Sequence, residues 1–307
     1  MNEAPGGSKA ETGQLQASLE AGRFAVTAEV NPPLAGEARF LLDKALPLKG
    51  LVDAVNVTDG PGAHVRMSAL AAAAILVQHG IEPVLQLTCR DRNRIALQSD
   101  LLGATALGIR SFLLLRGDDP SAGDHPDAKP VFDLEARGLL EAAAGIAERG
   151  TLMSGRAVEG RTAMFLGAAD MPIDPPPGWK PEGLIAKQAA GARFAQTQFC
   201  MDVAVLRRYV ARLGELGLTE RIHLLVGIAP LRSAKSARWM RQHLYGTIVP
   251  DAIVARMEGA ADPQAEGRRI CVELLHQLTD IPGVAGAHIM APLNEEAIPE
   301  VVRAFRG

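Results

Sequence analysis

The chain reads as a single (β/α)8 barrel, and three observations carry that expectation. Short apolar runs recur along the sequence, the first four beginning roughly 30 residues apart, the length of one β-α unit. Most of these runs lack polar alternation, as in parallel strands covered on both faces. Each is followed by a cluster of Gly, Pro, Asp, Asn or Thr and then by a segment with helical apolar spacing. Eight such repeats is the count of a TIM barrel, while a doubly wound open sheet is the alternative with the same alternation. No Pro/Gly/Ser linker divides the chain internally. The expected organisation is therefore one α/β domain over residues 15–307, preceded by a disordered Gly-, Ser- and charge-rich tail at residues 1–14.

Taken in order, residues 15–21 form a short helix before the first strand, 24–30 (FAVTAEV), which Asn31-Pro32-Pro33 ends. Residues 37–48 have helical spacing. The second strand, 51–57 (LVDAVNV), runs into Thr58-Asp59-Gly60-Pro61-Gly62. A helix at 68–78 closes at His79-Gly80, with Gly as its C-terminal stop. The third strand, 83–87, ends in Thr88-Cys89-Arg90-Asp91, and the helix 93–107 leads to the fourth, 111–115. A long Asp/Pro-rich loop, 117–131, precedes the helix 134–149. The fifth strand is placed at 162–167, the sixth at 194–199 (FAQTQF), the seventh at 222–228 (IHLLVGI) and the eighth at 284–290 (VAGAHIM). Helices are expected at 183–190, 203–216, 233–243, 250–257, 264–278 and 294–305.

Composition narrows the function. With 307 residues and 48% hydrophobic content the chain is globular. A net charge of −3 and a pI near 6.2 argue against nucleic-acid or polybasic membrane binding. The longest apolar run, 69–77, is too short and Ala-rich to span a bilayer, and the N-terminus lacks a signal-peptide apolar core. Cys89, Cys200 and Cys271 are far apart and odd in number, which suggests a reducing cytoplasm and no cysteine metal site. Seven scattered histidines show no ligand spacing, so no metal is expected. There is no P-loop, no G-x-G-x-x-G after a strand, no H-E-x-x-H and no G-x-S-x-G. His288, in an apolar strand, reads as a hydrogen-bonded core histidine.

Chemistry is expected where the polar residues gather, at the carboxyl ends of the strands. In SFLLLRGDDP (111–120) an apolar run breaks at Arg116-Gly117-Asp118-Asp119-Pro120. This puts one cation and two anions at a strand end; a solvated turn with a local ion pair and a ligand site both fit. Glu29 lies between Ala28 and Val30 near the end of the first strand. Burial disfavours the charged form of a carboxyl, which suits Glu29 to proton donation; an exposed Glu or a buried ion pair is the competing reading. Thr58, Gln86, Thr88, Arg116, Asp118, Gln196 and Gln198, with Lys187 on the helix before the sixth strand, complete the set.

TAEVNPP (27–33), VNVTDG (55–60), LQLTCRDRN (85–93), LLLRGDDP (113–120) and TQF (197–199) together, in this order and spacing, resemble the methylenetetrahydrofolate reductase family over about residues 15–300. The resemblance implies a flavin-binding TIM barrel that uses FAD to reduce 5,10-methylenetetrahydrofolate to 5-methyltetrahydrofolate in one-carbon metabolism, upstream of methionine biosynthesis. By the same resemblance, Glu29 is the general acid that opens the imidazolidine ring to a 5-iminium cation. Asp118 is the carboxylate beside flavin and pterin, where its charge stabilises that cation and tunes the flavin. Arg116, Gly117, Thr58 and Asp59 match flavin contacts, and Lys187 a basic residue near the phosphates. Gln86 stands where well-studied members have His, and Gln198 matches the glutamine that contacts the pterin.

Three further departures accompany Gln86. The aromatic residue that stacks on folate or nicotinamide aligns with Met240, with Trp239 beside it. A flavin-contacting His is replaced near Met171, and an Arg for the folate tail is missing near Asn294-Glu295. Of these departures, Gln86 and Met240 predict weak use of NADH or NADPH by the isolated protein. Alternative settings are physiological oxidation of methyltetrahydrofolate in a demethylation pathway, or a flavin- or folate-binding subunit that takes electrons from a partner redox protein. A homo-oligomer fits equally.

Overall fold

A computed structural model describes residues 12–160 and 162–307. Its strands are β1 (Ala25–Val30), β2 (Ala54–Val57), β3 (Pro83–Thr88), β4 (Ser111–Leu115), β5 (Phe165–Asp170), β6 (Phe194–Phe199), β7 (His223–Ile228) and β8 (Val284–Ile289). Each pairs in parallel with the next, and β8 returns to β1 in the register Ala25↔Gly286, Thr27↔His288. The barrel is closed, which removes the open-sheet alternative.

Two-residue periodicity sorts each strand. Val26, Ala28 and Val30 point outward and join the core shared with the surrounding helices. Ala25, Ala54, Val84, Leu113, Phe165, Phe194 and Leu225 point inward and form an apolar floor. The helix α1 (Gln14–Glu20) covers that floor from below, with Leu15 and Leu19 buried against it. Glu82 caps α1 by accepting the backbone N–H groups of Gln14 and Leu15. The expected tail at 1–14 lies outside the described residues as far as residue 11, and Gln14 already opens α1.

The remaining helices are α2 (Arg39–Ala45), α3 (Ala69–Gln78), α4 (Arg94–Ala106), α5 (Ala136–Ala144), α6 (Glu182–Ala189), α7 (Val203–Glu215), α8 (Ala234–His243), α9 (Asp251–Glu258), α10 (Pro263–Thr279) and α11 (Ile298–Arg306). Their starts follow local chemistry. Asn93, Asp202 and Asp262 cap α4, α7 and α10 through side-chain oxygens, and Ser233 forms a capping box with Ser236 at α8. The expected helix at 37–48 divides into α2 and a 3-10 turn (Leu46–Leu48), because Pro47 has no N–H to continue the ladder. The expected β2 loses residues 51–53: the N–H groups of Leu51 and Val52 turn back to the Leu48 carbonyl, and that of Asp53 donates to the Val26 carbonyl just before the strand begins. The fifth strand also moves, from 162–167 to Phe165–Asp170. The charged Asp170 reads as loop in sequence, yet it ends the strand because Tyr209 on α7 donates its hydroxyl hydrogen to Asp170 Oδ2 at 2.5 Å. No helix among the described residues is long and apolar enough to cross a membrane.

Candidate active site

Above the apolar floor the barrel interior turns polar. Thr27, Asn56, Gln196 and His288, from β1, β2, β6 and β8, are all buried and mutually hydrogen-bonded. Toward the carboxyl ends sit Glu29, two residues beyond Thr27 on β1, and Gln86, two residues beyond Val84 on β3. Gln86 Nε2 donates to Glu29 Oε2 at 3.2 Å, and His288 Nε2 lies 3.6 Å from the same oxygen. These three residues form the deep end of a cleft of about 730 Å³ at the carboxyl end of the strands.

From Glu29 the cleft runs outward between β5, β6 and the segment leading into α6. Leu115, Ala169, Met171 and Met290 give it apolar walls, and Lys180 and Lys187 stand toward its rim. Lys187, half-buried on α6, donates from Nζ to the carbonyl of Ala169 at 2.7 Å. Beside it, burial pushes the Asp170 carboxyl up from its ordinary value, against the lowering effect of the Tyr209 hydroxyl; the Tyr209 hydroxyl is itself pushed up, by burial first and by Asp170 second. Gln198 is fixed at both ends of its amide: Nε2 donates to the Tyr245 carbonyl (3.1 Å) and Oε1 accepts the Phe199 N–H (3.0 Å).

The structure therefore brings Glu29, Gln86, Lys187 and Gln198 to one cleft. The other expected residues occupy neighbouring strand ends with their side chains otherwise engaged. Thr58 Oγ1 donates to Asn31 Oδ1 (2.9 Å). Asp59 Oδ2 accepts from the Thr88 N–H, the Thr88 hydroxyl and Arg92 Nη1, at 2.9, 2.9 and 2.8 Å. Arg116 lies over the Phe132 ring, 4.0 Å from its centroid, and pairs with Glu135 at 3.2 Å. Gly117 has φ +92, and a Cβ there would meet Thr88 Cβ at 2.9 Å, so the turn packs against the end of β3 as only Gly allows. Asp118 Oδ2 takes the Gly62 N–H at 2.7 Å, which ties the loop after β4 to the loop after β2.

One alignment at the mouth needs correction, that of Met240. Met240, aligned with a stacking aromatic, is 5% exposed and belongs to the core, while Trp239 points outward and stacks on His243. Three aromatics line the cleft, Trp179, Tyr209 and Tyr245; of these Tyr245, just past α8, is 86% exposed. Its position depends on how the chain leaves α8, and no sequence period signals that. His288 is the buried, hydrogen-bonded histidine expected, and it also faces the cleft. Asp170 and Trp179 carry no signal in the sequence: Asp170 falls just past the expected strand 162–167, and Trp179 in a Pro-rich stretch without periodicity. Asn294 and Glu295 turn inward, to the Pro230 carbonyl (3.0 Å) and to Lys44 and Asn31.

The arrangement suits a flat, partly apolar ring with an anionic extension: apolar walls, convergent amides and a carboxyl at the deep end, cations near the rim. The whole span from residue 14 to residue 306 matches the family model described as methylenetetrahydrofolate reductase. The chain belongs to the methylenetetrahydrofolate reductase family. Its members are oxidoreductases and generally flavin-dependent. A Caenorhabditis elegans protein named as a probable methylenetetrahydrofolate reductase (NADPH) is 27% identical over 250 residues, covering 78% of this chain. The match spans 35% of that relative's own length, about a third of it. Among solved structures, a Clostridium thermocellum protein described as binding two copies of 5-methyl-5,6,7,8-tetrahydrofolic acid superposes with a TM-score of 0.62. It is 10% identical, and the match covers 95% of this chain and 99% of that one. EDTA monooxygenase from Chelativorans sp. BNC1 gives 0.57 at 12% identity, with 92% of each chain covered. At such identities these two likenesses speak for the barrel fold alone.

Proposed function

We propose that this chain is an FAD-dependent oxidoreductase interconverting 5,10-methylenetetrahydrofolate and 5-methyltetrahydrofolate in the cytoplasm. The observation that carries the reading is Glu29 at the deep end of the cleft, held by Gln86, with Gln198 facing the same space and Lys187 at the outer end. The residues present fit a flavin. Leu115, Ala169 and Met290 offer apolar surface to its ring, and Lys180 and Lys187 offer charge to its phosphates. When bound, a reduced flavin supplies hydride. The chain's own groups do the rest. Glu29 gives a proton to the folate nitrogen whose bond to the methylene carbon breaks. Gln198, with its amide fixed by two backbone partners, orients the pterin through both donor and acceptor. Asp118, with Thr58, Asp59, Arg116 and Gly117, belongs to the adjoining strand ends. There its negative charge favours the cation left on the substrate.

The test is purification with FAD supplied, followed by anaerobic reduction of methylenetetrahydrofolate with an artificial electron donor. Binding of flavin and formation of methyltetrahydrofolate are the expected results. A chain that binds flavin yet neither binds nor reduces the folate would end the reading. Comparing NADH, NADPH and a methyltetrahydrofolate control in the same experiment identifies the electron donor and the direction.

A further inference from the structure

Beneath Glu29 the polar layer of the barrel closes on itself, and its shorter contacts favour one tautomer of His288. Gln196 Nε2 carries two hydrogens. One goes to Asn56 Oδ1 and the other to Thr27 Oγ1, both at 3.0 Å, while Gln196 Oε1 accepts from Asn56 Nδ2 at 2.6 Å. Thr27 Oγ1 is thus already an acceptor. Its single O–H has two acceptors in reach, His288 Nδ1 at 2.9 Å and the Ala287 carbonyl at 3.4 Å, and the shorter contact is to the ring. A ring nitrogen that accepts carries no hydrogen, so the neutral imidazole holds its proton on Nε2.

Nε2 is the atom facing Glu29 Oε2. The same oxygen takes the Gln86 amide N–H. Two neutral donors therefore converge on one oxygen of the carboxyl, and Oε1 has no hydrogen-bond partner among the described residues. At 3.6 Å the His288 contact is longer than a hydrogen bond; catalytic contacts of this kind tighten once substrate closes the site. The groups facing His288 from the neighbouring strands are Thr27 and Glu29 on β1, Gln196 on β6 and the backbone of Gly227 on β7. Glu29 is the one ionisable side chain among them. Asn56 and Gln196 have no titratable proton, so this layer orients the ring and does not relay protons to it.

We propose that His288 is a positioning residue for the acid, fixed as the Nε2–H tautomer by Thr27 and Gln196. With Gln86 it makes Oε2 the accepting oxygen of Glu29, keeps the transferable proton on Oε1, and stabilises the carboxylate left behind. In the step it serves, the Oε1–H bond breaks and its electron pair stays on the carboxylate. The proton goes to the substrate nitrogen, whose former C–N pair becomes the new N–H bond. This proposal rests on the acid role given to Glu29 above.

Two measurements on the full chain test it. With 15N-histidine labelling, a long-range 1H–15N correlation spectrum reads the tautomer directly, the His288 signals being assigned by their loss in His288→Gln. The expected result near neutral pH is a protonated Nε2 and a bare Nδ1. A protonated Nδ1, which a concerted flip of the Asn56 and Gln196 amides would produce, overturns the proposal. The second measurement compares His288→Asn with His288→Gln in FAD-loaded protein. Asn replaces the Nδ1 side and keeps a partner for Thr27 but does not reach Glu29; Gln extends an amide N–H to the place of Nε2. In His288→Asn, folate turnover is expected to fall about tenfold through loss of alignment. Its decline with rising pH should also move to higher pH, because the carboxylate has lost a donor that favours the charged form. His288→Gln should restore both, and reduction of the flavin by its electron donor should be unmoved in either variant. Equal losses in the two variants with an unmoved pH profile overturn the proposal. A chain that does not turn over methylenetetrahydrofolate at all sinks the functional reading instead, and the tautomer spectrum still decides the geometry.

Discussion

Glu29→Gln is the substitution that isolates proton donation from everything else the cleft does. The Glu29 side chain is 19% exposed, with Oε2 held by Gln86 at 3.2 Å and His288 beyond it at 3.6 Å. Gln has the same shape, and its carbonyl oxygen can occupy the Oε2 position and take the Gln86 N–H. The apolar walls, the rim lysines and the Gln198 amide do not touch the change. What disappears is the transferable proton. General acid catalysis contributes about 10²–10⁴-fold, which at about 1.36 kcal/mol per tenfold is a barrier increase of about 3–5 kcal/mol. The assay is anaerobic single-turnover reoxidation of the pre-reduced flavin by methylenetetrahydrofolate, with flavin content and methyltetrahydrofolate affinity measured on the same preparation. The expected variant binds flavin and folate normally and reoxidises at least 10²-fold more slowly. Reoxidation near the wild-type rate would refute the assignment of Glu29 as the acid, however well the protein folds.

Other outcomes follow from neighbouring features. Asp118→Asn keeps an acceptor for the Gly62 N–H, so the loop holds and only the charge is lost; the bound flavin should become easier to reduce and methylene reduction slower, and a redox titration with an unchanged or lower potential contradicts this. Gly167→Ala places a Cβ 2.2 Å from the Phe194 ring inside the barrel; overpacking there should cost about 1–3 kcal/mol and lower the melting temperature by several degrees, and a wild-type melting curve would show that the floor is not packed as described. Burial pushes the Cys89 thiol up to about 11 and the Cys200 thiol up to about 12, and raises Cys271 as well. The native protein should therefore resist alkylation at mildly alkaline pH and react at all three thiols once unfolded; rapid labelling of the native chain would mean that the ends of β3 and β6 or the middle of α10 open.

The fold was legible because its signals are local. The bounds of β4 and β6 match the expected strands residue for residue; β4 lies between Arg110 and Arg116-Gly117, and β6 starts after Arg193. The fifth strand slipped by three residues for the opposite reason: its last residue is a carboxylate whose partner, Tyr209, lies 39 positions away on α7. Membership of one strand end was also readable, which is why Glu29, Gln86, Lys187 and Gln198 meet. The direction of a loop side chain was not. Asp118 and Asp59 stand where strand ends put them, yet their carboxylates face Gly62, and Thr88 with Arg92, through contacts made by the folded loops alone. Met240 illustrates the helical version: one position along α8 separates a core side chain from the exposed Trp239, so an alignment by residue type carries no direction.

The layering of the barrel interior explains why Glu29, the proposed acid, sits where it does. Inward positions on β1 are Ala25, Thr27 and Glu29, a climb from apolar to hydroxyl to carboxyl in steps of two residues. α1 covers the bottom with Leu15 and Leu19, so water is excluded from the Ala25 level and a charge there would be stranded. At the Thr27 level neutral groups satisfy one another, with Asn56, Gln196 and His288 as partners. Only at the Glu29 level does the cleft open, and there a carboxyl can change charge because solvent or substrate replaces the proton it gives up. Moving the acid one pleat down, to position 27, would bury it among amides with no way to recover a proton. Moving it by one residue, to 28 or 30, would aim it at the helices. The requirement for a half-buried carboxyl over a neutral hydrogen-bonded floor therefore selects position 29 on this strand, and the same parity that builds the core orients the chemistry.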